Sequence, residues 1–213
     1  MKWEKVFILL FNSIEDSIYF AANEARRRYR VPKSRCYAYR AIDNFWPLRS
    51  IPPPFMKCDL DSKLLIFAHG TRADPRTGET AGSYIGIDAN RHIGGQALAN
   101  LLYNHGLKEV GLISIKACHS ANPEFITAFL NALTENKIKV GWILGYRGAI
   151  THSTSGKHIY TSRIDAITHS WFNIKIPDKY RVRIVEGNTR VINPNSPRYN
   201  HFTGMNLADF DDE

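Results

Sequence analysis

The sequence is short of cysteine and of acidic residues, and it contains no long apolar run. Three cysteines, Cys36, Cys58 and Cys118, are too few for a disulfide-built scaffold, and they indicate a reducing compartment with free thiols. No apolar stretch approaches the roughly 20 residues that a membrane-spanning helix needs. The apolar run at 6–11 is soon followed by acidic residues, so it is too short for a signal peptide. We therefore expect a cytoplasmic protein without a membrane span.

The deficit of acids leaves the chain basic. Asp and Glu number 20 against 28 Lys and Arg, a net charge of +8, which favours an anionic partner. One basic segment contains no acid and comprises Arg26, Arg27, Arg28, Arg30, Lys33, Arg35 and Arg40. A second set of candidates lies later in the chain and comprises Lys157, Arg163, Lys175, Lys179, Arg181, Arg183 and Arg190. Each set is either a solvated surface or an anion site, and no common nucleic-acid-binding motif accompanies them.

Strand-like and helix-like segments alternate along the chain. Continuous apolar runs predict buried strands over residues 6–11, 64–68, 110–115 and 140–144. Helical spacing of apolar residues predicts helices over residues 14–30, 96–104, 122–136 and 155–172. This alternation indicates βαβ units in a doubly wound, mostly parallel α/β sheet.

We expect one domain over residues 1–213. Its core would cover about residues 5–175, and 176–213 would form an irregular C-terminal extension with its best strand at 181–185. Residues 71–94 are polar and rich in glycine, which predicts a long surface excursion. Such loops often carry function.

Reactive side chains follow two of the predicted strands. The strand at 64–68 leads into His69 and Gly70, and the strand at 110–115 leads through Lys116 to Cys118. In doubly wound sheets, ligands bind beyond the carboxyl ends of the strands. If these two strands are neighbours, an imidazole and a thiol emerge side by side, as nucleophilic catalysis requires. His119, next to the cysteine, is the alternative base.

These segments resemble the caspase-like cysteine peptidases. The matching text is LLIFAHGTR and VGLISIKACHSA, with the cysteine 49 residues after the histidine, and the likeness covers roughly residues 60–150. The group includes caspases, legumains, clostripain-like and gingipain-like peptidases, separases, CHAT-domain proteases and the self-processing domains of bacterial toxins. The resemblance implies a caspase-like three-layer sandwich and a thiol protease that cleaves protein substrates or itself. A bacterial effector of this kind would be delivered into a host cytosol.

The resemblance also implies roles for individual residues. Cys118 would be the nucleophile of a catalytic dyad and His69 its general acid and base. The backbone N–H groups of Gly70 and Cys118 would form the oxyanion hole. No cofactor would be required, although some toxin-borne relatives are activated by inositol hexakisphosphate, and an inositol phosphate is the activator that the basic residues could bind.

The sequence departs from the group's pattern two residues before the cysteine. Caspases have Gln there, legumains Glu and clostripain-like enzymes Asp, whereas this chain has Lys116. That position lines the pocket for the residue before the cleaved bond, so a cation there favours an acidic or polar side chain over Arg or Lys. The loop 71–94 and the segment after Gly145, which includes Arg147, would shape the rest of the substrate-binding groove.

Other site types have less support. The chain has no C-x-x-C and no H-E-x-x-H, and His152 and His158 are six residues apart, so we expect no metal site. G-x-S-x-G is absent, which argues against a serine hydrolase. Two alternatives to a peptidase stay open: a non-catalytic α/β module that binds a phosphorylated or nucleotide ligand, and a nucleic-acid-associated protein.

Overall fold

A seven-stranded sheet forms the centre of the fold in the computed structural model, which describes residues 3–11, 17–40, 42–73, 78–88, 91–152, 159–160 and 181–191. The strands are β1 (Lys5–Leu10), β2 (Cys36–Ala38), β3 (Trp46–Pro47), β4 (Ser62–Phe67), β5 (His69–Gly70), β6 (Ile85–Asp88), β7 (Arg91–Ile93), β8 (Glu109–Lys116), β9 (Lys139–Tyr146), β10 (Thr151–His152), β11 (Ile159–Tyr160) and β12 (Val182–Glu186). The helices are α1 (Ser17–Arg28), α2 (Gly95–Asn104) and α3 (Pro123–Glu135), with a 3-10 turn at Lys33–Arg35.

The strand order in the main sheet is β12-β9-β8-β4-β1-β2-β3. Every pairing in it is parallel except the one between β12 and β9. The described residues therefore form a mixed α/β fold with a mostly parallel sheet, as the alternation of apolar runs and helical spacing predicts.

The central strands are apolar on both sides because helices lie on both faces of the sheet. In β1, Phe7 and Leu9 belong to the larger core, which α2 and α3 cover, whereas Ile8 and Leu10 belong to the core beneath α1. Successive side chains of a strand point to opposite faces, so a strand covered on both sides must be apolar at nearly every position. Burial of this kind is the main source of stability in such a sheet.

Most of the predicted elements are confirmed. The four predicted strands correspond to β1, β4, β8 and β9, and the strand predicted at 181–185 corresponds to β12. Helix α3 begins where its capping residues predict, because the Asn122 side chain accepts a hydrogen bond of 3.1 Å from the Phe125 N–H and Pro123 follows the cap. Helix α2 is followed by Gly106 at a φ of +88°.

The prediction of a helix over 155–172 is wrong at residues 159–160. These form β11, which pairs with β10 in an antiparallel hairpin. An Ile-Tyr pair fits a strand well, and pairing with a neighbouring segment here outweighs the helical spacing of the apolar residues. The remainder of that predicted helix, including Lys157 and Arg163, lies outside the described residues.

The excursion at 71–94 contains more regular structure than its composition indicates. Strands β6 and β7 pair antiparallel, and β5 pairs with β6, giving a three-stranded sheet beside the main one. Cross-strand pairing thus organises a segment whose polar, glycine-rich sequence resembles a loop.

In the described part of the chain, no helix combines the length and the apolar character needed to cross a membrane.

Candidate functional site

The two strands that precede the predicted site residues are direct neighbours in the sheet. Strands β4 and β8 pair in parallel, with Phe67 opposite Lys116 at their carboxyl ends. Just beyond this pair, the Ala68 N–H donates to the Lys116 carbonyl over 3.4 Å. The segments that begin with His69 and with Ala117 therefore leave the sheet side by side at one edge.

Gly70 lies in direct backbone contact with Cys118. A Cβ atom on residue 70 would lie 1.7 Å from the Cys118 carbonyl oxygen and 3.1 Å from its amide nitrogen. No residue with a side chain can occupy that position unless the backbone shifts. The glycine of the His-Gly pair is thus required by close packing of two backbone segments.

The turn at residues 118–120 touches two further glycines that sequence reasoning missed. A Cβ on Gly82 would lie 2.0 Å from the His119 carbonyl oxygen, and one on Gly145 would lie 2.4 Å from the Ser120 carbonyl oxygen. Gly145 lies inside strand β9. A glycine within a strand commonly marks a close backbone approach, so its position in the predicted strand region could have indicated this contact. Each carbonyl of the turn is therefore packed against a glycine.

Hydrogen bonds hold the same turn to β8, to β9 and to the segment that follows β9. The Ser120 hydroxyl donates to the Ile115 carbonyl and accepts from the Tyr146 N–H, both over 3.0 Å. The His119 N–H donates to the Gly148 carbonyl over 2.9 Å. Because Ser120 is fully buried, its two bonds are shielded from water and fix the turn with respect to both strands.

The three cysteines occupy different environments. Cys36 and Cys58 are buried, and burial raises the pKa of both thiols, that of Cys36 to about 12. Cys118 is half-buried, and its Sγ lies 3.3 Å from the Ile150 nitrogen, whose N–H points at the sulfur. The same sulfur lies 3.8 Å from the Ile150 carbonyl oxygen, to which the thiol donates. Cys118 is therefore the most accessible of the three thiols, and access is one requirement of a nucleophilic cysteine.

His69 is the first residue of β5 and is exposed. It pairs with Gly86 of β6, so the small three-stranded sheet sets its backbone position. His119, the alternative base, has a left-handed backbone with a φ of +54° and lies against Gly82. The two histidines therefore lie on the backbone segments that meet at Cys118, one at the neighbouring strand end and one in the turn itself.

Of the two predicted substrate-binding cations, Lys116 contacts an aromatic ring. Its Nζ donates to the Tyr146 hydroxyl over 2.5 Å and lies 4.8 Å from the centre of that ring. Tyr146 is buried, which fixes the ammonium group at the carboxyl end of β8.

Arg147 directly follows β9 and lies on the opposite face of the sheet from the Tyr146 ring. Its backbone N–H donates to the Arg181 carbonyl over 3.0 Å, just beyond the pairing of Tyr146 with Val182. Directly opposed residues of antiparallel strands share a face, as do residues two apart, so Arg147, Arg181 and Arg183 lie on one face. Two arginines of the second basic set thus join Arg147 near the carboxyl end of β9.

In the part of the chain that the structure describes, no three His, Cys, Asp or Glu residues group closely enough to hold a metal ion. Comparison of the sequence with protein-family models and with curated proteins found no match.

Proposed function

We propose that this protein is a cysteine endopeptidase of the caspase-like type, with Cys118 as nucleophile and His69 as general acid and base. The observation that carries the proposal is the parallel pairing of β4 with β8, which brings the Gly70 backbone against the Cys118 backbone. The strand order supports the caspase-like architecture, because the His-Gly and Ala-Cys segments both leave the centre of a parallel sheet at its carboxyl edge.

In the first half of the proposed reaction, His69 accepts the thiol proton and the Cys118 sulfur attacks the carbonyl carbon of the cleaved bond. The carbonyl oxygen becomes an oxyanion, which accepts hydrogen bonds from the N–H groups of Gly70 and Cys118. The intermediate collapses as the C–N bond breaks, and the imidazolium returns its proton to the departing amine. The product is a thioester on Cys118.

In the second half, His69 takes a proton from water, and the resulting hydroxide attacks the thioester carbonyl. The C–S bond breaks, and the sulfur leaves as a thiolate that recovers the proton from the imidazolium. The substrate is released as a carboxylic acid, and the dyad returns to its starting state. No external oxidant, reductant or cofactor is needed for either half.

Positive charge near the dyad favours an acidic or polar residue before the cleaved bond. Lys116 holds an ammonium group at the carboxyl end of β8, and Arg147 lies beyond the end of β9. Together with the loop 71–94, these two residues are proposed to shape the substrate groove. Protein substrates, including further copies of this chain, are the expected class.

Cleavage of a peptide library tests the proposal. The wild type, with and without inositol hexakisphosphate, is compared with Cys118→Ala, and Cys36→Ala is the matched control because Cys36 is buried away from the site. We expect Cys118→Ala to lose all cleavage and Cys36→Ala to keep it. Full-length protein incubated alone, with fragments read by mass spectrometry, tests self-processing.

A pair of histidine variants assigns the base. His69→Ala is expected to lower kcat by at least about a hundredfold, as loss of a general base does. His119→Ala is expected to have a smaller effect, and the reverse ranking would assign the base to His119. The peptidase proposal fails if the wild type cleaves nothing that Cys118→Ala does not also cleave.

A further inference from the structure

A cavity of about 610 Å³ lies between α2, the segment after β3 and strand β7. Its volume is within the range of small-molecule sites in proteins. Its lining contains neither residue of the proposed dyad and neither of the two proposed substrate-binding cations. One face of α2 supplies Ala97, Asn100, Leu101 and Asn104, spaced three and four residues apart as one stripe of a helix. The cavity is therefore a second candidate site.

The charged side chains around the cavity are cations. Arg49 and Arg91 contribute two guanidinium groups, and no Asp or Glu stands among the described residues of the lining. Arginine presents paired N–H groups that match the oxygens of a phosphate. Two guanidinium groups around one cavity thus favour an anion over a neutral or cationic ligand.

Hydrogen bonds within the lining set the roles of two more polar side chains. The Asn100 side-chain oxygen accepts a bond of 2.8 Å from Asn136, so its NH₂ group is the end left to face a ligand. The Nδ1 atom of His105 lies 2.7 Å from the Leu101 carbonyl oxygen, which can only accept, so this nitrogen carries the proton. The second nitrogen of a neutral His105 ring is then an acceptor, which suits a hydroxyl group of a ligand and not its phosphate.

The remaining lining is apolar or aromatic. Tyr39, Leu48 and Leu101 line it, and the Arg91 guanidinium carbon lies 5.8 Å from the centre of the Tyr39 ring. Inorganic phosphate alone would leave this part without contacts. A small molecule with a phosphate group and a ring or carbon skeleton matches both parts.

We propose that the cavity between α2 and Arg91 binds a small organic phosphate, with Arg49 and Arg91 on the phosphate group and Tyr39 and Leu101 on the carbon skeleton. The proposal does not depend on peptidase activity. A ligand of this class is recognised by its charge and its size, and neither Cys118 nor His69 takes part.

Isothermal titration calorimetry tests the proposal with four probes: adenosine 5′-monophosphate, ribose 5-phosphate, inorganic phosphate and adenosine. We expect one of the two organic phosphates to bind more tightly than inorganic phosphate, and adenosine to bind at least about tenfold more weakly than its monophosphate if that is the ligand. Equal binding of adenosine and its monophosphate, or no binding by any phosphorylated probe below about 1 mM, overturns the proposal.

Matched variants locate the site. Arg91→Gln and Arg49→Gln should each weaken binding by about tenfold or more, whereas Arg27→Gln on the exposed face of α1 should leave it unchanged. Ala97→Phe fills the cavity and should abolish binding, while Ala128→Phe, at an exposed position of α3, should not. Circular dichroism checks that each variant is folded. The proposal is contradicted if Arg27→Gln weakens binding as much as Arg91→Gln and Arg49→Gln do, or if Ala97→Phe binds the ligand as well as the wild type. Either result would place any bound phosphate elsewhere.

Discussion

The Cα atom of Gly70 faces the carbonyl group of Cys118 so closely that a methyl group on it would lie 1.7 Å from the carbonyl oxygen. These residues belong to segments that are separated by 48 positions in the chain and meet at the carboxyl ends of β4 and β8. The contact sets the distance between the segment that carries the histidine and the turn that carries the cysteine. Any side chain at residue 70 must push them apart.

Gly70→Ala should therefore destabilise the fold and disturb the site. Overpacking of this kind costs about 1–3 kcal/mol in the free energy of unfolding, and here backbone has to move to relieve it. Gly94→Ala is the control, because its Cβ would meet only the Tyr84 ring at 3.6 Å and its φ of −77° suits any residue. We expect a loss below about 1 kcal/mol for that variant in urea denaturation. Equal losses would mean that the contact with Cys118 is looser than described.

The three thiols should differ in their rate of alkylation. Burial raises the pKa of Cys36 to about 12 and also raises that of Cys58, whereas Cys118 is half-buried beside the Ile150 N–H. At pH 7 a thiol with such a pKa is ionised in about one molecule in 10⁵. Iodoacetamide at neutral pH should modify Cys118 first, as read by mass spectrometry of peptides. In urea all three should react alike; native protein in which Cys36 reacts as fast as Cys118 would contradict the assignment.

Two variants of Asn122 should separate helix capping from loop anchoring. Its side-chain oxygen caps α3, and its NH₂ donates to Thr80 over 2.8 Å and to the Ala81 carbonyl over 3.0 Å. Asn122→Ala removes both roles and should cost about 1 kcal/mol or more. Asn122→Asp keeps the cap, and a negative charge suits a helix N-terminus, but it loses both donors.

The Asp variant should therefore keep most of the global stability and yet loosen the segment at 78–84. Hydrogen exchange of the amides in that segment is the measurement, with urea denaturation run on the same samples. If both variants lose equal stability and exchange equally fast, capping and anchoring are not separable in this way.

The ion pair between Lys5 and Asp59 should make stability depend on pH. Burial acts to raise the Asp59 pKa, but hydrogen bonds from Lys5 and Ser62 outweigh it and hold this pKa below its ordinary 3.8. The hydrogen bond to Asp59 raises the Lys5 pKa above 10.5. The pair therefore stabilises the fold fully between about pH 3.8 and pH 10.5, which are the ordinary pKa values of its two groups. This contribution is lost as pH falls through the lowered Asp59 pKa or rises through the raised Lys5 pKa.

Asp59→Asn should accordingly be slightly less stable than the wild type at pH 7, and the difference should shrink in acid. The effect should be small because both side chains are about one third exposed, at 35% and 32%. Thermal melts at pH 7 and in acid measure it, with Asp43→Asn at an exposed position as control. A difference that grows as the pH falls would have the wrong sign for this pair.

Substrate preference should follow Lys116. Peptides with Asp or Glu before the cleaved bond should have a higher kcat/KM than peptides with Arg, because like charges in the groove repel. Lys116→Met should reduce that preference, by about tenfold if one charge-assisted hydrogen bond is lost. Tyr146→Phe, which removes the hydroxyl bonded to Lys116 and keeps the ring, is the control for position. A wild-type preference for Arg would contradict the role given to Lys116.

Local pattern was enough to predict the regular elements of the core. Continuous apolar runs located β4 and β8, and the Asn122-Pro123 pair located the start of α3. These signals work because burial on both faces and capping are decided by a few adjacent residues. They fail for β10 and β11, where pairing between segments decides the structure.

The site was predictable in its parts and less so in its arrangement. The ends of two apolar strands identified His69 and Cys118 as candidates. The contacts of Gly82 and Gly145 with the cysteine turn, and that of the Ile150 N–H with the sulfur, link positions that are 25 to 37 residues apart along the chain. Contacts over such separations leave no periodic signal in a sequence.

The sequence by itself determined the main strands and helices of the core, and which reactive residues stand at the strand ends. Only the tertiary structure decided that β4 and β8 are neighbours, that Gly70 packs on Cys118, and that α2 and Arg91 line one open cavity. The physical reason is that secondary structure follows from side chains a few residues apart, whereas strand order depends on the packing of the whole sheet and its helices.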